Sequence, residues 1–309
     1  MRKYNIAMLS AAEERIPAYC MAEIRKFADI KCRRCESPAE LVEFASDCDI
    51  LWMFAANVAL KEEALEKMPR AKALFRSGSG LDALPLKYAK EHDLSVWNTP
   101  ESISESVAEH AVALLFALAR NVVQFNTQVH QGEWDSSAGQ THWHLSGRTL
   151  GLVGYGRIAR TVEKLVSGFG MKILHFDPYS DASTPLDEML PECDFVSIHC
   201  PLTVDTENLF DRRRLFLMKK GALLVNTSRG PVVDEKALYE ALQAGQIGGA
   251  ALDVLCDEPP LQDNPLLYDP RVIITPHAAA FSADFEKNFW EYSGKKLHEI
   301  CCYLEKKEQ

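Results

Sequence analysis

From Tyr4 to about Trp97, short apolar runs alternate with amphipathic helical stretches. The runs at residues 5–9, 50–54, 73–76 and 94–97 predict strands, with a weaker one near Ile30. Alternation of this kind implies a parallel α/β domain. Asn98-Thr99-Pro100 then breaks the pattern. Ser102 with Glu105, and Ser106 with Glu109, each fit a capping box, and the helix they open runs through Ala119. That helix is apolar around most of its circumference, at Val107, Ala111, Val112, Leu114, Leu115, Phe116 and Leu118. It is expected to be buried, between domains or at a subunit interface. A second doubly wound unit follows over residues 145–276, with strands beginning near Leu150, Lys172, Phe195, Ala222, Gly249 and Arg271. The helical stretch 284–304 comes after the last of them and has no strand left to serve. It is predicted to return to the N-terminal domain. The expected division is therefore residues 1–98 with 284–309, and residues 99–283.

A length of 309 residues agrees with two domains and gives each an ample core. The net charge of −10 argues against nucleic acid or an anionic membrane as partner. The basic run Arg212-Arg213-Arg214 reads as a solvated helix face. No apolar run reaches membrane-spanning length, and the first residues read as a strand rather than a secretory core. The nine cysteines show no disulfide-like framework, and the one CxxC pair, Cys32 and Cys35, has no second pair to complete a metal site. Reduced thiols, no metal and a cytoplasmic location are expected.

The candidate chemistry lies in the second unit. Leu150-Gly151-Leu152-Val153 reads as a buried strand and runs into Gly154-Tyr155-Gly156-Arg157-Ile158-Ala159, after which a helix begins. Gly154 suits a tight turn, Gly156 lets backbone approach a pyrophosphate, and Ala159 permits close packing of helix on sheet. The helix N-terminus offers amides and a positive dipole end to phosphates. Asp177 ends the next strand, about 20 residues further on, where a carboxylate accepts from a ribose diol. The same carboxylate repels a 2′-phosphate, so NAD is expected over NADP. Further along, Arg229, Glu258 and His277 each stand just past the end of a separate apolar strand. Ligands of open parallel sheets bind outside the carboxyl ends of the strands, so these three should converge on one crevice. A guanidinium, a carboxylate and an imidazole can together hold an α-keto acid and protonate its carbonyl. His142, His144 and His199 lack such company and are expected to be structural, and Trp134 and Trp143 to be packing anchors. Trp52, Met53 and Phe54, with Ala55-Ala56-Asn57 behind them, end a first-domain strand and are candidates to line a small apolar pocket.

Taken in order, several segments resemble the D-isomer-specific 2-hydroxyacid dehydrogenases over nearly the full length. They are Arg76-Ser77-Gly78-Ser79-Gly80-Leu81-Asp82, Ser106-Val107-Ala108-Glu109-His110, the glycine-rich turn, and His199-Cys200-Pro201-Leu202-Thr203. They continue with Leu224-Val225-Asn226-Thr227-Ser228-Arg229-Gly230, Ala250-Ala251-Leu252-Asp253-Val254, Glu258-Pro259 and Thr275-Pro276-His277. The resemblance implies two doubly wound parallel-sheet domains, a Rossmann NAD-binding domain and a flavodoxin-like substrate domain, with a cleft between. It implies NAD-linked interconversion of 2-keto and D-2-hydroxy acids; with an apolar pocket lined by Trp52, Met53 and Phe54, a small substrate such as glyoxylate, pyruvate or hydroxypyruvate is expected first. By the same resemblance Arg229 clamps the substrate, Glu258 supports the histidine and His277 is the acid/base. Ser77, Gly78, Ser79 and Gly80 form a carboxylate-binding loop, and Asp253 holds the nicotinamide carboxamide. Val107, Cys200, Pro201 and Thr227 join Gly154, Tyr155, Gly156, Arg157, Ile158 and Asp177 at the cofactor. A homodimer through the cofactor domains is implied too. Ala278-Ala279-Ala280-Phe281-Ser282 departs from the pattern of many relatives and resembles the corepressor branch, so an NAD(H)-sensing scaffold stands as the alternative to an enzyme.

Overall fold

The computed structural model describes residues 3–54, 57–136 and 143–309. Ala55, Ala56 and His142, for which the sequence raised expectations, lie outside them. The chain divides into two compact units, Met1–Ile103 with Ser282–Gln309, and Ser104–Phe281.

In the first unit, β1 (Tyr4–Met8), β2 (Ala28–Cys32), β3 (Ile50–Met53), β4 (Ala73–Arg76) and β5 (Ser95–Asn98) form a parallel sheet in the order β2-β1-β3-β4-β5. This is the flavodoxin-like order. The strands are apolar on both faces because helices cover both sides of a parallel sheet. Successive residues alternate sides. Ile6, Met8, Trp52 and Phe75 enter one core with the helix Phe285–Lys307, while Ala7, Leu51, Met53 and Leu74 enter the other. Trp290 of that helix packs edge-on against Trp52 at 6.0 Å.

In the second unit, β6 (Thr149–Val153), β7 (Lys172–Phe176), β8 (Phe195–Ile198), β9 (Ala222–Asn226), β10 (Ile247–Leu252) and β11 (Val272–Ile274) form a parallel sheet in the order β11-β10-β9-β8-β6-β7. The chain steps from β6 to β7 on one side and resumes with β8 on the other, so the order reverses between β6 and β8. That is a topological switch point. One core holds Val153, Ile198, Leu224 and Leu252; the other holds Leu152, Phe195 and Val225 beneath the helices Ser104–Ala119 and Arg157–Val166.

The helix Ser104–Ala119 corrects the expectation for how it begins. Ser106 lies inside it, and the Ser102 hydroxyl donates to the Thr99 carbonyl at 2.7 Å, so neither serine opens the helix as its capping box suggested. Its buried residues Ala108, Ala111, Leu114, Leu115 and Leu118 pack within the second unit's own core. All nine cysteines are free. Arg212 pairs with Glu240, and Arg213 and Arg214 with Asp187, as expected of a solvated basic face. Among the described residues, no single helix is long and apolar enough to cross a membrane.

Candidate active site

Three neighbouring strands end level with one another: Asn226 of β9 pairs with Leu252 of β10, which pairs with Ile274 of β11. Arg229 and His277 each follow three residues beyond their strand. The side chain of Asn226, buried at the end of β9, shapes the first turn. Its Nδ2 donates to the Arg229 carbonyl at 2.9 Å, and its Oδ1 accepts from the amide and hydroxyl of Ser228 at 3.0 and 2.8 Å. This folds the chain back just past the strand, where half-buried Arg229 donates from Nη1 to the Ser228 carbonyl at 2.7 Å. Gly230 then passes so close to the loop after β10 that a β-carbon on it would lie 2.0 Å from the Leu255 carbonyl carbon. The turn carrying Arg229 therefore rests on the loop carrying Glu258.

Glu258 joins that loop to the next. Its Oε1 accepts from the Leu255 amide at 3.1 Å, and its Oε2 stands 2.7 Å from Nδ1 of His277. A carboxylate has no proton to give at neutral pH, so Nδ1 of His277 is the donor. Nε2 is left as the nitrogen that gives or takes a proton elsewhere. Glu258 thereby fixes the orientation and the tautomer of the ring. The side chains of His277 and Glu258 are 48% and 39% exposed, open enough to meet a substrate. His277 has φ 53°, the left-handed region that a non-glycine residue seldom occupies. Its amide donates to the Asp253 carbonyl at 2.8 Å, and the amides of Ala278 and Ala279 donate to the Asp253 carboxylate at 2.9 Å each. Asp253, expected to serve the nicotinamide, thus has most of its carboxylate engaged by the loop that holds His277.

The cofactor segments gather at the switch point. Gly154 (φ 85°) turns the chain where a β-carbon would lie 2.6 Å from the Cys200 amide, so only glycine fits between β6 and the end of β8. Gly156 has open space where its β-carbon would be, and it precedes the helix Arg157–Val166 with no side-chain cap. That is the cradle a pyrophosphate needs. Asp177, at the end of β7, accepts from the Tyr155 amide at 2.7 Å and the Tyr179 amide at 2.9 Å, which leaves each oxygen a further lone pair for a ribose. Thr227 presents a buried hydroxyl that has no partner among the described residues. The residues present fit a dinucleotide. Tyr155 contributes through its backbone, since its ring stacks on His175 at 3.7 Å. Ile158 is half-buried and Arg157 exposed beside it, Pro201 is exposed, and Cys200 and Val107 are buried. Burial pushes the Cys200 thiol up to about 12, so it stays neutral.

The substrate loop needs correction. Ser77 gives its amide to the Met53 carbonyl and Gly78 gives its amide to Thr99 Oγ1, both at 2.8 Å. The Ser77 hydroxyl is buried between Trp52 Nε1 at 2.8 Å and Ser293 Oγ at 2.7 Å. Only Ser79 and Gly80 keep amides with no partner among the described residues. Trp52 and Met53 do not line a pocket, because both are fully buried core residues. Trp134 is no packing anchor either, being 90% exposed. Trp143 does pack, against Phe195 and under the Arg148 guanidinium. His110 and Thr275, which sequence reasoning did not single out, stand directly against Asp253. Among the described residues no cluster of His, Cys, Asp and Glu is arranged to hold a metal.

Residues 112–279 match the family profile for the D-isomer specific 2-hydroxyacid dehydrogenase, NAD binding domain. The chain is 36% identical over 302 residues to a glyoxylate reductase of Korarchaeum cryptofilum, covering 91% of this chain and 89% of that one. A D-3-phosphoglycerate dehydrogenase of Methanocaldococcus jannaschii is 39% identical over 80% of this chain, which spans about half (49%) of that relative. Among solved structures, a D-lactate dehydrogenase of Aquifex aeolicus in complex with NAD and lactic acid superposes with a TM-score of 0.84 at 30% identity, covering 96% of this chain and 95% of that one.

Proposed function

Because this chain belongs to the D-isomer-specific 2-hydroxyacid dehydrogenases, we propose that it reduces a small 2-keto acid to the D-2-hydroxy acid, or runs the reverse. The observation that carries the reading is the His277–Glu258 pair at 2.7 Å, on strand ends level with the turn of Arg229. NADH, when bound, supplies the hydride. Arg229 binds the planar carboxylate by charge-assisted hydrogen bonds and orients the carbonyl. The same guanidinium stabilises negative charge growing on the carbonyl oxygen. Protonated His277 gives its Nε2 proton to that oxygen, and Glu258 holds the ring during the transfer. In the oxidative direction neutral His277 takes the hydroxyl proton at the same nitrogen. The carboxylate of Asp177 supports NAD over NADP. Glyoxylate and hydroxypyruvate are the first substrates to try; the relative named as a glyoxylate reductase supports the former.

The surface of the second unit supports a homodimer. The helix Val122–His130 buries none of its residues, and a groove of about 700 Å³ runs past Phe116, Val122, Phe125, Val129 and Trp134. A second copy covering this groove would remove that apolar area from water. Val129→Asp should then shift the protein from dimer to monomer in light scattering coupled to size exclusion. The nine free thiols suit a reducing compartment, and the cytoplasm is the proposed location.

The deciding experiment is NADH oxidation against glyoxylate, hydroxypyruvate, pyruvate, phenylpyruvate and 3-phosphohydroxypyruvate, with NADPH controls. Turnover on at least one is expected. His277→Gln should lower kcat by about 10²-fold or more while leaving NADH affinity unchanged. NADH binding with no turnover on any acid would overturn the enzymatic reading.

A further inference from the structure

We infer that His110 and Thr275 are positioning residues for His277, acting through the buried carboxylate of Asp253. This rests on the reading of His277 as the acid/base. His277 has to be held, because its left-handed backbone (φ 53°) is strained and persists only where neighbours over-determine it. Asp253 supplies that hold from both sides. Ahead of the histidine, Thr275 Oγ1 donates to Asp253 Oδ1 at 2.5 Å. Behind it, Ala278 and Ala279 donate their amides to Oδ1 and Oδ2. The Asp253 carbonyl takes the His277 amide itself. One side chain, 1% exposed, therefore pins residues on either side of the left-handed one.

Proton counting then brings in His110. A threonine hydroxyl has one proton, and the Thr275 proton goes to Asp253. The Thr275 oxygen can only accept in its remaining contact, with Nε2 of His110 at 3.1 Å. His110 must carry a proton on Nε2, and the same nitrogen lies 3.5 Å from Asp253 Oδ1. His110 belongs to the helix Ser104–Ala119, which packs into the sheet's core. The helix thus braces the strand-end loop through His110, then Thr275 and Asp253. With the Nε2 donor removed, the Thr275 hydroxyl is free to turn away and the carboxylate loses a fixed donor. The loop can then drift, carrying the His277 ring off its bond to Glu258. A displacement of about 1 Å at such a group can cost on the order of 10²-fold in rate.

Two pairs of variants test this. His110→Phe keeps a ring but has no donor, whereas the His110→Gln amide reaches the place of Nε2 and donates. Thr275→Val removes the hydroxyl and Thr275→Ser keeps it. His110→Phe and Thr275→Val should each lower kcat by about 10²-fold, with NADH affinity by fluorescence unchanged and kcat largely recovered in His110→Gln and Thr275→Ser. The double variant should be no worse than Thr275→Val alone, since both act in one chain of contacts. A readout independent of turnover is the ring Cε1–Hε1 resonance of His277, identified by its loss in His277→Gln. It should move in the Phe and Val variants and return in the Gln and Ser variants. If His110→Phe does not fold, the Thr275 pair reads the same contacts. Equal impairment within each pair would assign the loss to packing and overturn the inference, as would unchanged kcat with an unmoved resonance. If the wild type turned over no keto acid, the dehydrogenase reading would fail, and the resonance alone would still decide whether His110 and Thr275 position His277.

Discussion

Gly230 tests how tightly the turns carrying Arg229, Glu258 and His277 depend on one another. A β-carbon there would meet backbone on every near side, 2.0 Å from the Leu255 carbonyl carbon and 2.5 Å from the Cys256 nitrogen. No rotamer change relieves a clash of backbone with backbone, so Gly230→Ala must push the loop carrying Glu258. Overpacking of this kind costs about 1–3 kcal/mol. The melting temperature should fall, and kcat should fall beyond what the lost stability explains, because the Glu258–His277 contact is displaced. Unchanged kcat would mean that the two turns move independently. The sequence makes such single positions only half legible. Arg229, Glu258 and His277 stand out because each follows an apolar strand, but His110 is paired with a residue 165 positions away. Periodicity carries no trace of a contact of that kind. The glycine-rich turn was legible through its spacing, whereas the way Asp253 is engaged depends on how the chain after His277 curls back, which no local pattern records.

The strands were readable as elements because parallel strands covered on both faces are continuous apolar runs, and all of the first unit's runs became strands. The identity of what covers each face was not readable. Trp52, Met53 and Phe54 end a strand, which suggested a pocket, yet Trp52 is sealed by the helix Phe285–Lys307 from the far end of the chain. A hydrogen-bond chain secures the seal: Trp52 Nε1 donates to Ser77, Ser77 to Ser293, and Ser293 to the Phe289 carbonyl at 2.6 Å. The capping boxes failed for a related reason, since the Ser102 hydroxyl served its own preceding turn instead of a helix amide. Trp290, buried and edge-on to Trp52, Phe54 and Phe289, is the anchor of the helix. Trp290→Ala should lower the unfolding free energy by about 3–5 kcal/mol in urea titration. A cost near that of a surface substitution would show that the helix does not close this core.

His199 ties part of the protein's acid stability to one imidazole whose Nε2 is buried. Its Nε2 is shut off from solvent, has no hydrogen-bond partner among the described residues, and lies on the β8 edge of the switch point. Burial alone holds its pKa down to about 4, below the ordinary imidazole value of about 6.5. The sign follows from proton counting. Between these two values the unfolded chain binds a proton that the folded protein does not, so stability falls as pH falls through that window. Above the upper value neither state is protonated there and the residue contributes no slope. Below the lower value both are protonated and the loss is complete, on the order of 3 kcal/mol. Carboxylates with depressed pKa behave in the same direction but at lower pH. Asp269, held down by its bonds to Arg271, loses its contribution only as pH falls below the ordinary carboxylate range. The two effects therefore separate on the pH axis. Urea midpoints at pH 7 and pH 5 should fall for the wild type and fall less for His199→Gln, whose amide stays neutral throughout. An identical fall in both proteins would move the origin of the acid sensitivity to other groups and leave His199 a silent core residue.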